Sequence, residues 1–370
     1  MAGPLPKHFP GIGYELTPDE LLQWLQERDP SRLESLWRLA DEVRRAHVGD
    51  EVHLRGLIEI SNHCVRQCHY CGLRAGNRSL TRYRMSADEI VACAEQARRF
   101  GYGTVVLQAG EDESLTTAWV AEVVRRIKKT ARLAVTLSLG ERGSDELRAW
   151  RQAGADRYLL RFETSNVERF QQIHPSRGGS SPSRLLLLHE LRRLGYEVGS
   201  GVMVGIPGQQ YQDLMSDLRL FREMDLDMIG IGPFIPHPAT PLGRVVSCEA
   251  NGEAGVPADE LTTCKMVALA RLVCPEANIP STTALATINL AEGRELGLRR
   301  GANVLMPNLT PPMYRVHYEI YPAKACIRET PEWCHVCMKG RIEAIGRHVG
   351  TGSGSRRRRQ GPLRGLLNEQ

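Results

Sequence analysis

From about residue 50 onward the chain alternates short apolar runs with longer stretches whose apolar residues recur near i, i+3 and i+4 spacing. Those are the patterns of buried strands and of helices that lie on them. The runs predict eight strands: Leu54–Ile60, Thr104–Gln108, Leu133–Leu139, Arg157–Arg161, Val198–Val204, Asp227–Ile231, Asn278–Thr283 and Asn303–Met306. The intervening stretches predict helices at 86–100, 115–129, 144–153, 183–194, 210–224, 261–273 and 292–300. Strand followed by helix, repeated, implies parallel β/α units. Eight units point to an α/β fold, a closed (β/α)8 TIM-type barrel whose active-site residues sit at the C-terminal ends of the strands. The last two strands carry the weakest pattern, and an open six-stranded sheet with an irregular C-terminal part is the competing architecture. Ahead of the barrel, 17–47 reads as helix, broken in two by Pro30. The expected organisation is an N-terminal helical segment (1–49), the barrel (50–310), a C-terminal extension bearing cysteines (311–349) and a flexible basic tail (350–370).

A chain of 370 residues with 42% hydrophobic and 25% charged residues has ordinary globular composition. Of its net charge of +5, four positive charges form the run Arg356 to Arg359, in a Gly/Ser-rich segment without periodicity. That segment predicts a solvated tail, and the remaining charge of about +1 requires no nucleic-acid partner. Neither a membrane span nor the apolar core of a secretion signal is visible, so the expected setting is the cytoplasm. Six of the ten cysteines lie in two tight clusters, which favours metal ligation by reduced thiolates over a disulfide framework. Cys93, Cys248, Cys264 and Cys274 stand apart and read as packed small hydrophobes.

Directly after the first predicted strand, SNHCVRQCHYCGLR places Cys64, Cys68 and Cys71 in C-x3-C-x2-C spacing, with Tyr70 before the last. Three thiolates on one short loop suit a [4Fe-4S] cluster with one iron free of protein ligands. Zinc, completed by His63 or His69, is the competing reading. The second cluster, CIRETPEWCHVC, holds Cys326, Cys334 and Cys337 and fits a second iron–sulfur centre, of the [2Fe-2S] type. There the competitor is zinc with His335, although a histidine inside the C-x2-C turn is awkwardly placed to join both cysteines.

The C-x3-C-x2-C motif resembles that of the radical S-adenosylmethionine (SAM) superfamily. Across about residues 50–340, the stretches NHCVRQCHYCGLRAGNRSLTRYRM, VVLQAGED, VTLSLGE, GADRYLLRFET, MVGIPGQ, DMIGIGPFIPHPATPL and GANVLMPNLTPPMYRVHYEIYP are similar to [FeFe]-hydrogenase maturases of the HydE type. Biotin synthases and methylornithine synthases share the fold and the cysteine spacing. The resemblance implies a cofactor whose amino and carboxylate groups chelate the open iron, and whose reductive cleavage yields methionine and a 5′-deoxyadenosyl radical. It implies action in hydrogenase maturation, on a small sulfur-containing or iron-bound cysteine-derived precursor. Expected partners are that small molecule, a reductant protein such as a ferredoxin or flavodoxin, and other hydrogenase maturation proteins. Alternative functions are a biotin synthase-like or methylornithine synthase-like reaction, or an iron–sulfur scaffold or carrier without turnover.

SAM presents a carboxylate, an ammonium, ribose hydroxyls, adenine and a sulfonium, and its pocket needs partners for each. Gln108 and Ser138, at predicted strand ends, suit hydrogen bonds to the amino-acid moiety, and Glu163 suits an ammonium or the ribose hydroxyls. Arg184 suits a bidentate pair with the methionyl carboxylate. The resemblance supports these four as cofactor contacts and adds Met203 and Met228 as apolar wall, with core packing the plain alternative for a methionine. It also suggests that Arg161, Thr282, Thr283, Tyr318 and Tyr321 line the deeper substrate cavity, where the arginine would suit an anionic substrate. Pairing with a neighbouring carboxylate is the alternative for Arg161. Phe162 stands where the family phrase leads one to expect a histidine, a departure that bears on substrate contacts.

Overall fold

The computed structural model describes residues 8–9, 13–176, 183–248 and 255–357. A small hairpin, β1 (His8–Phe9) and β2 (Gly13–Tyr14), precedes helices α1 (Pro18–Gln26) and α2 (Pro30–Val48). Thr17 and Asp29 cap the two helices through their side chains, and Pro30 occupies the first turn of α2, where a missing N–H costs nothing. The next units are β3 (Glu51–Ser61), α3 (Ala87–Arg99), β4 (Thr104–Ala109), α4 (Thr117–Thr130), β5 (Ala134–Ser138) and α5 (Ser144–Gln152). They are followed by β6 (Arg157–Leu159), α6 (Val167–Ile173), α7 (Arg184–Arg193), β7 (Glu197–Val204), α8 (Tyr211–Glu223), β8 (Met228–Pro233) and α9 (Pro241–Cys248). The remainder is α10 (Glu260–Val273), α11 (Thr283–Ile288), α12 (Gly293–Arg299), β9 (Val304–Leu305), α13 (Pro312–Arg315), α14 (Pro331–Ala344) and β10 (His348–Val349).

Parallel ladders join β3 to β8 in sequence order, and β9 pairs back onto β3. The gap between β8 and β9 is closed by single parallel bridges, Met228 to Asn278, Ile231 to Ser281 and Pro280 to Val304. The barrel therefore closes, and the open-sheet alternative falls away. The seventh strand is reduced to those bridges because Thr282 already caps α11, which takes over from Thr283.

Barrel interiors are normally filled by layers of side chains. Here the inward positions of β8 include Gly230 and Gly232, which leave the upper half hollow. The lower half is plugged. The flexible tail expected from residue 350 is not what its first residues form, because 350–356 folds under the N-terminal ends of the strands. Buried Arg55 donates to the Gly354 carbonyl (3.0 Å), and buried Arg157 donates to the Ser353 carbonyl (3.1 Å) and the Ser355 hydroxyl (2.7 Å). Arg356 reaches Asp225 at 2.6 Å and Glu276 at 3.6 Å. A Cβ on Gly103 would lie 1.6 Å from the Gly352 carbonyl oxygen, so this approach requires glycine. Buried guanidiniums and strand-end groups need partners, and the segment's carbonyls supply them. Arg358, Arg359 and the rest of the expected tail lie outside the described residues. Cys93, Cys264 and Cys274 are buried as expected, while the side chain of Cys248 is outside the description. No helix among the described residues is long and apolar enough to cross a membrane.

Behind β6, fully buried Asp217 of α8 accepts the Ser165 N–H at 2.6 Å, while its second oxygen has no hydrogen-bond partner. Burial pushes this carboxyl up to about 7 from an ordinary 3.8. A raised folded-state value means that the native chain holds a proton the unfolded chain has released. The resulting stability is fully present below pH 4 and is lost as pH rises toward 7. At about 1.4 kcal/mol per pH unit, the loss is on the order of 4 kcal/mol. Asp217→Asn, which keeps the shape, is expected to flatten the stability profile between pH 4 and 8 and to exceed the parent at pH 8. Urea denaturation across that range checks it, and an unchanged slope refutes it.

Candidate active site

The cysteine loop follows β3 and has little secondary structure of its own, so polar side chains hold its shape. Arg82 donates to the carbonyls of Leu73 (2.9 Å), Arg74 (2.9 Å) and Asn77 (3.2 Å). Asn62 ties the loop to Thr81 and His317, and Asp112 receives both Ser61 Oγ (2.6 Å) and Arg84 (2.7 and 3.0 Å). Gly110, at the end of β4, lets the loop come close, since a Cβ there would sit 2.2 Å from the His63 carbonyl oxygen. All three sulfurs open onto one cavity of about 350 Å³ at the C-terminal end of the barrel. Cys64 Sγ accepts the N–H groups of Arg66 and Glu111, both at 3.4 Å, and Cys68 Sγ lies 3.0 Å from His174 Nδ1. Burial pushes the thiols up, Cys68 to about 12, so metal binding must displace their protons. No three His, Cys, Asp or Glu side chains among the described residues converge on a single-ion site. One zinc ion needs that convergence, whereas an iron–sulfur cluster spreads its ligands around a larger body.

The cavity gathers Gln108, Ser138, Arg161, Glu163, Arg184, Met203, Met228, Thr282, Thr283, Tyr318 and Tyr321 around the cysteines. Gln108 Nε2 donates to the Tyr318 hydroxyl at 3.3 Å. Glu163 has φ +64°, a conformation that side chains rarely adopt and that stores strain at functional sites. Its Oε2 is buried with no hydrogen-bond partner, and Arg161 Nε, 3.2 Å away, is likewise unsatisfied because the pair is misaligned. Arg161 thus lines the cavity and also faces a carboxylate. Phe162 points the other way and packs against Phe221 outside the barrel, so its replacement of histidine leaves the cavity wall untouched. Met203 is packed among Ile173, Ile206 and Phe234 while also facing the cavity.

Arg184 is more engaged than the sequence suggests. Its Nε donates to Glu141 at 2.9 Å, Nη1 to the Arg161 carbonyl and Nη2 to His174 at 3.0 Å. Three of five N–H groups are spent, and two remain for a ligand in place of an uncommitted fork. Burial would raise the Glu141 carboxyl, but the Arg184 and Arg66 guanidiniums hold it down at about 2.

Sequence reasoning missed Glu59 and Lys324, a buried ion pair in the cavity wall with side chains 1% and 4% exposed. Asn308 Nδ2 also donates to Glu59 at 2.9 Å, and Lys324 donates to the Tyr318 carbonyl at 3.2 Å. The signal was a glutamate set among the apolar Leu57, Ile58 and Ile60 of β3. Tyr70, read only as an aromatic neighbour of Cys71, is part of the cavity lining.

The second triplet lies outside the barrel, across a small void of about 20 Å³ whose walls include Lys324, Cys326 and Cys334. Cys334 and Cys337 sit one turn apart on α14, and not in a turn as expected. Each thiol has an arginine nearby: Arg294 lies 3.6 Å from Cys326, Arg315 lies 3.7 Å from Cys334, and Arg341 lies beside Cys337. A hydrogen bond from Cys334, then Arg294, pulls the Cys326 thiol below its ordinary value. His335 instead stacks on Phe100 (4.6 Å) and lies 3.1 Å from the Tyr102 hydroxyl, which turns it away from the zinc role considered for it.

The profile of the radical SAM superfamily matches residues 58–221. The chain is 48% identical over 344 residues to the [FeFe] hydrogenase maturase subunit HydE of Thermotoga maritima, covering 93% of this chain and 95% of that protein. The chain belongs to the HydE family. It is accordingly an enzyme of the radical SAM superfamily, for which a [4Fe-4S] cluster and SAM are the resident cofactors. More distant relatives of the chain include the 3-methylornithine synthase of Methanosarcina acetivorans, 28% identical over 79% of each chain. The crystal structure of methylornithine synthase superposes with TM-score 0.78 at 25% identity, covering 91% of this chain and 95% of that one. The hydrogenase maturase HydG shares the fold at TM-score 0.64 and 18% identity, covering 80% of this chain and 65% of that one.

Proposed function

We propose that Cys64, Cys68 and Cys71 hold the [4Fe-4S] cluster and that the cavity above them binds SAM, in an enzyme of [FeFe]-hydrogenase maturation. The observation that carries this reading is Glu163: beside three converging thiols, its strained backbone holds a buried oxygen with no hydrogen bond and only the misaligned Arg161 guanidinium at 3.2 Å. An acceptor kept dry without a hydrogen bond costs free energy, which a ligand's ammonium or hydroxyls would offset. When bound, the cluster supplies one electron to the cofactor's sulfonium, giving methionine and the 5′-deoxyadenosyl radical. The chain's own residues bind and orient. Gln108, Ser138 and the two spare N–H groups of Arg184 face the amino-acid end, Glu163 the ammonium or ribose, and Met203 and Met228 the apolar surface. Arg161, Thr282, Thr283, Tyr318 and Tyr321 form the substrate end, which suits a small anionic precursor, sulfur-containing or iron-bound and derived from cysteine. Enclosure by the barrel keeps water from a reactive intermediate. Cys326, Cys334 and Cys337 bind a second cluster of the [2Fe-2S] type, with three arginines offsetting thiolate charge. A ferredoxin or flavodoxin supplies electrons, and other maturation proteins receive the product.

The test is anaerobic reconstitution followed by assay of 5′-deoxyadenosine and of hydrogenase activation in a maturation mixture lacking this component. Formation of 5′-deoxyadenosine without activation would leave a radical SAM enzyme of other purpose. A charge-assisted contact contributes roughly 1.5–3 kcal/mol, so Arg184→Ala is expected to weaken SAM binding about 10- to 150-fold. Arg184→Lys should restore only part, because an ammonium lacks the planar donors. Calorimetric titration measures both, and wild-type affinity in Arg184→Ala removes the arginine from the cofactor site.

A further inference from the structure

We propose that His174 tunes the reduction potential of the cluster at Cys64, Cys68 and Cys71 by donating its Nδ1 hydrogen to the Cys68 sulfur. The proposal rests on the reading that this triplet holds an iron–sulfur cluster. His174 lies just past the end of α6, 4% exposed, with its N–H on the Phe170 carbonyl at 2.8 Å and its ring stacked on Phe170 at 4.9 Å. One ring nitrogen, Nδ1, is 3.0 Å from Cys68 Sγ. The other, Nε2, faces Arg66 Nη2 and, at 3.0 Å, Arg184 Nη2. Guanidinium nitrogens can only donate, so Nε2 must accept and the single ring proton belongs on Nδ1, toward the sulfur. Two contacts could compete. Glu141 Oε1 lies 3.3 Å from Nε2 but already receives Arg184 Nε at 2.9 Å, and Arg184 Nη2 passes Nδ1 at 3.4 Å, farther than the sulfur does.

The direction of the effect follows from charge. Reduction adds an electron to the cluster and its sulfurs, so an N–H pointed at a ligating sulfur stabilises the reduced form more than the oxidised one. Hydrogen bonds to sulfur are among the recognised determinants of cluster potential, and buried partners that fix a ligand's orientation are part of a metal site. Cys64 receives only backbone N–H groups, each at 3.4 Å. Cys68 is the thiol with a closer side-chain donor, and Arg66, Arg184 and Glu141 hold that donor in place.

The experiment compares wild type with His174→Phe, which keeps an aromatic ring on Phe170 but has no donor, and His174→Gln, which offers an amide N–H. Each protein is reconstituted, its iron counted, and its midpoint read by EPR-monitored titration with dithionite. At a fixed potential, His174→Phe is expected to show about a tenfold lower ratio of reduced to oxidised cluster, a fall of about 59 mV for one electron. His174→Gln should recover part of that loss. An iron-loaded His174→Phe with the wild-type midpoint overturns the proposal. Should His174→Phe fail to take up iron, the wild type decides alone: pulsed EPR of reduced enzyme carrying 15N-histidine should show a nitrogen coupling, and its absence overturns the proposal. A wild type that takes up no iron at the first triplet overturns the cluster reading itself.

Discussion

Cys64→Ala is expected to yield a folded barrel that cannot cleave SAM. The barrel strands are held by parallel ladders and a large buried core, to which the cysteine loop contributes Leu73 while Cys64 only packs at its edge. The loop is anchored by Arg82, Asn62 and Asp112, none of which touches the Cys64 sulfur. Removing the thiol takes away one of three protein ligands and two N–H contacts at 3.4 Å. Circular dichroism should therefore be near that of the parent while the first cluster is lost. If both sites carry the proposed clusters, iron should fall from about six per chain to about two. The remaining iron would belong to Cys326, Cys334 and Cys337. Undiminished 5′-deoxyadenosine from this variant would remove Cys64 from the cluster.

Lys324→Met should be the most destabilising single change in the cavity wall. It would leave Glu59, 1% exposed, with Asn308 as its remaining side-chain partner at 2.9 Å. Breaking a buried ion pair by removing one partner typically costs about 3–5 kcal/mol, because the other charge stays buried, whereas replacing both can be neutral. Glu59→Gln combined with Lys324→Met is accordingly expected to recover much of the loss. Denaturant midpoints of the parent, both single variants and the double variant give the coupling. A Lys324→Met midpoint equal to the parent's would mean that the pair holds nothing together.

The strand and helix pattern was legible because burial on a barrel is periodic. Val105, Leu107 and Val135 recur as buried apolar positions, and α3 and α4 each show a single apolar stripe. The cysteine triplet and the strand-end residues were legible because a barrel delivers such positions to one mouth. What escaped depends on partners distant in sequence. Glu59 and Lys324 are separated by 265 residues, and neither signals the other locally. The packed segment after Gly350 escaped because Gly and Ser carry no hydrophobic period, while its fixed shape comes from Arg55 and Arg157. The partners of Arg184 escaped for the same reason, since Glu141 and His174 belong to other loops. The C-x2-C of the second triplet is compatible with turn or helix, and Thr330 and Pro331 at the start of α14 were the overlooked signals.

The floor of the barrel also bears on the order in which the protein can be finished. Arg55 belongs to the first barrel strand, yet the carbonyl that receives it, on Gly354, comes 299 residues later. At about 5–20 residues per second, a ribosome needs roughly 15–60 s to travel between them. Through that interval the nascent barrel gains its strands but not its base, and Arg55 and Arg157 lack the carbonyls of Gly354 and Ser353 that will cover them. Closure of the base therefore comes late in synthesis relative to the first strand, and the half-built barrel is the species that chaperones and proteases meet.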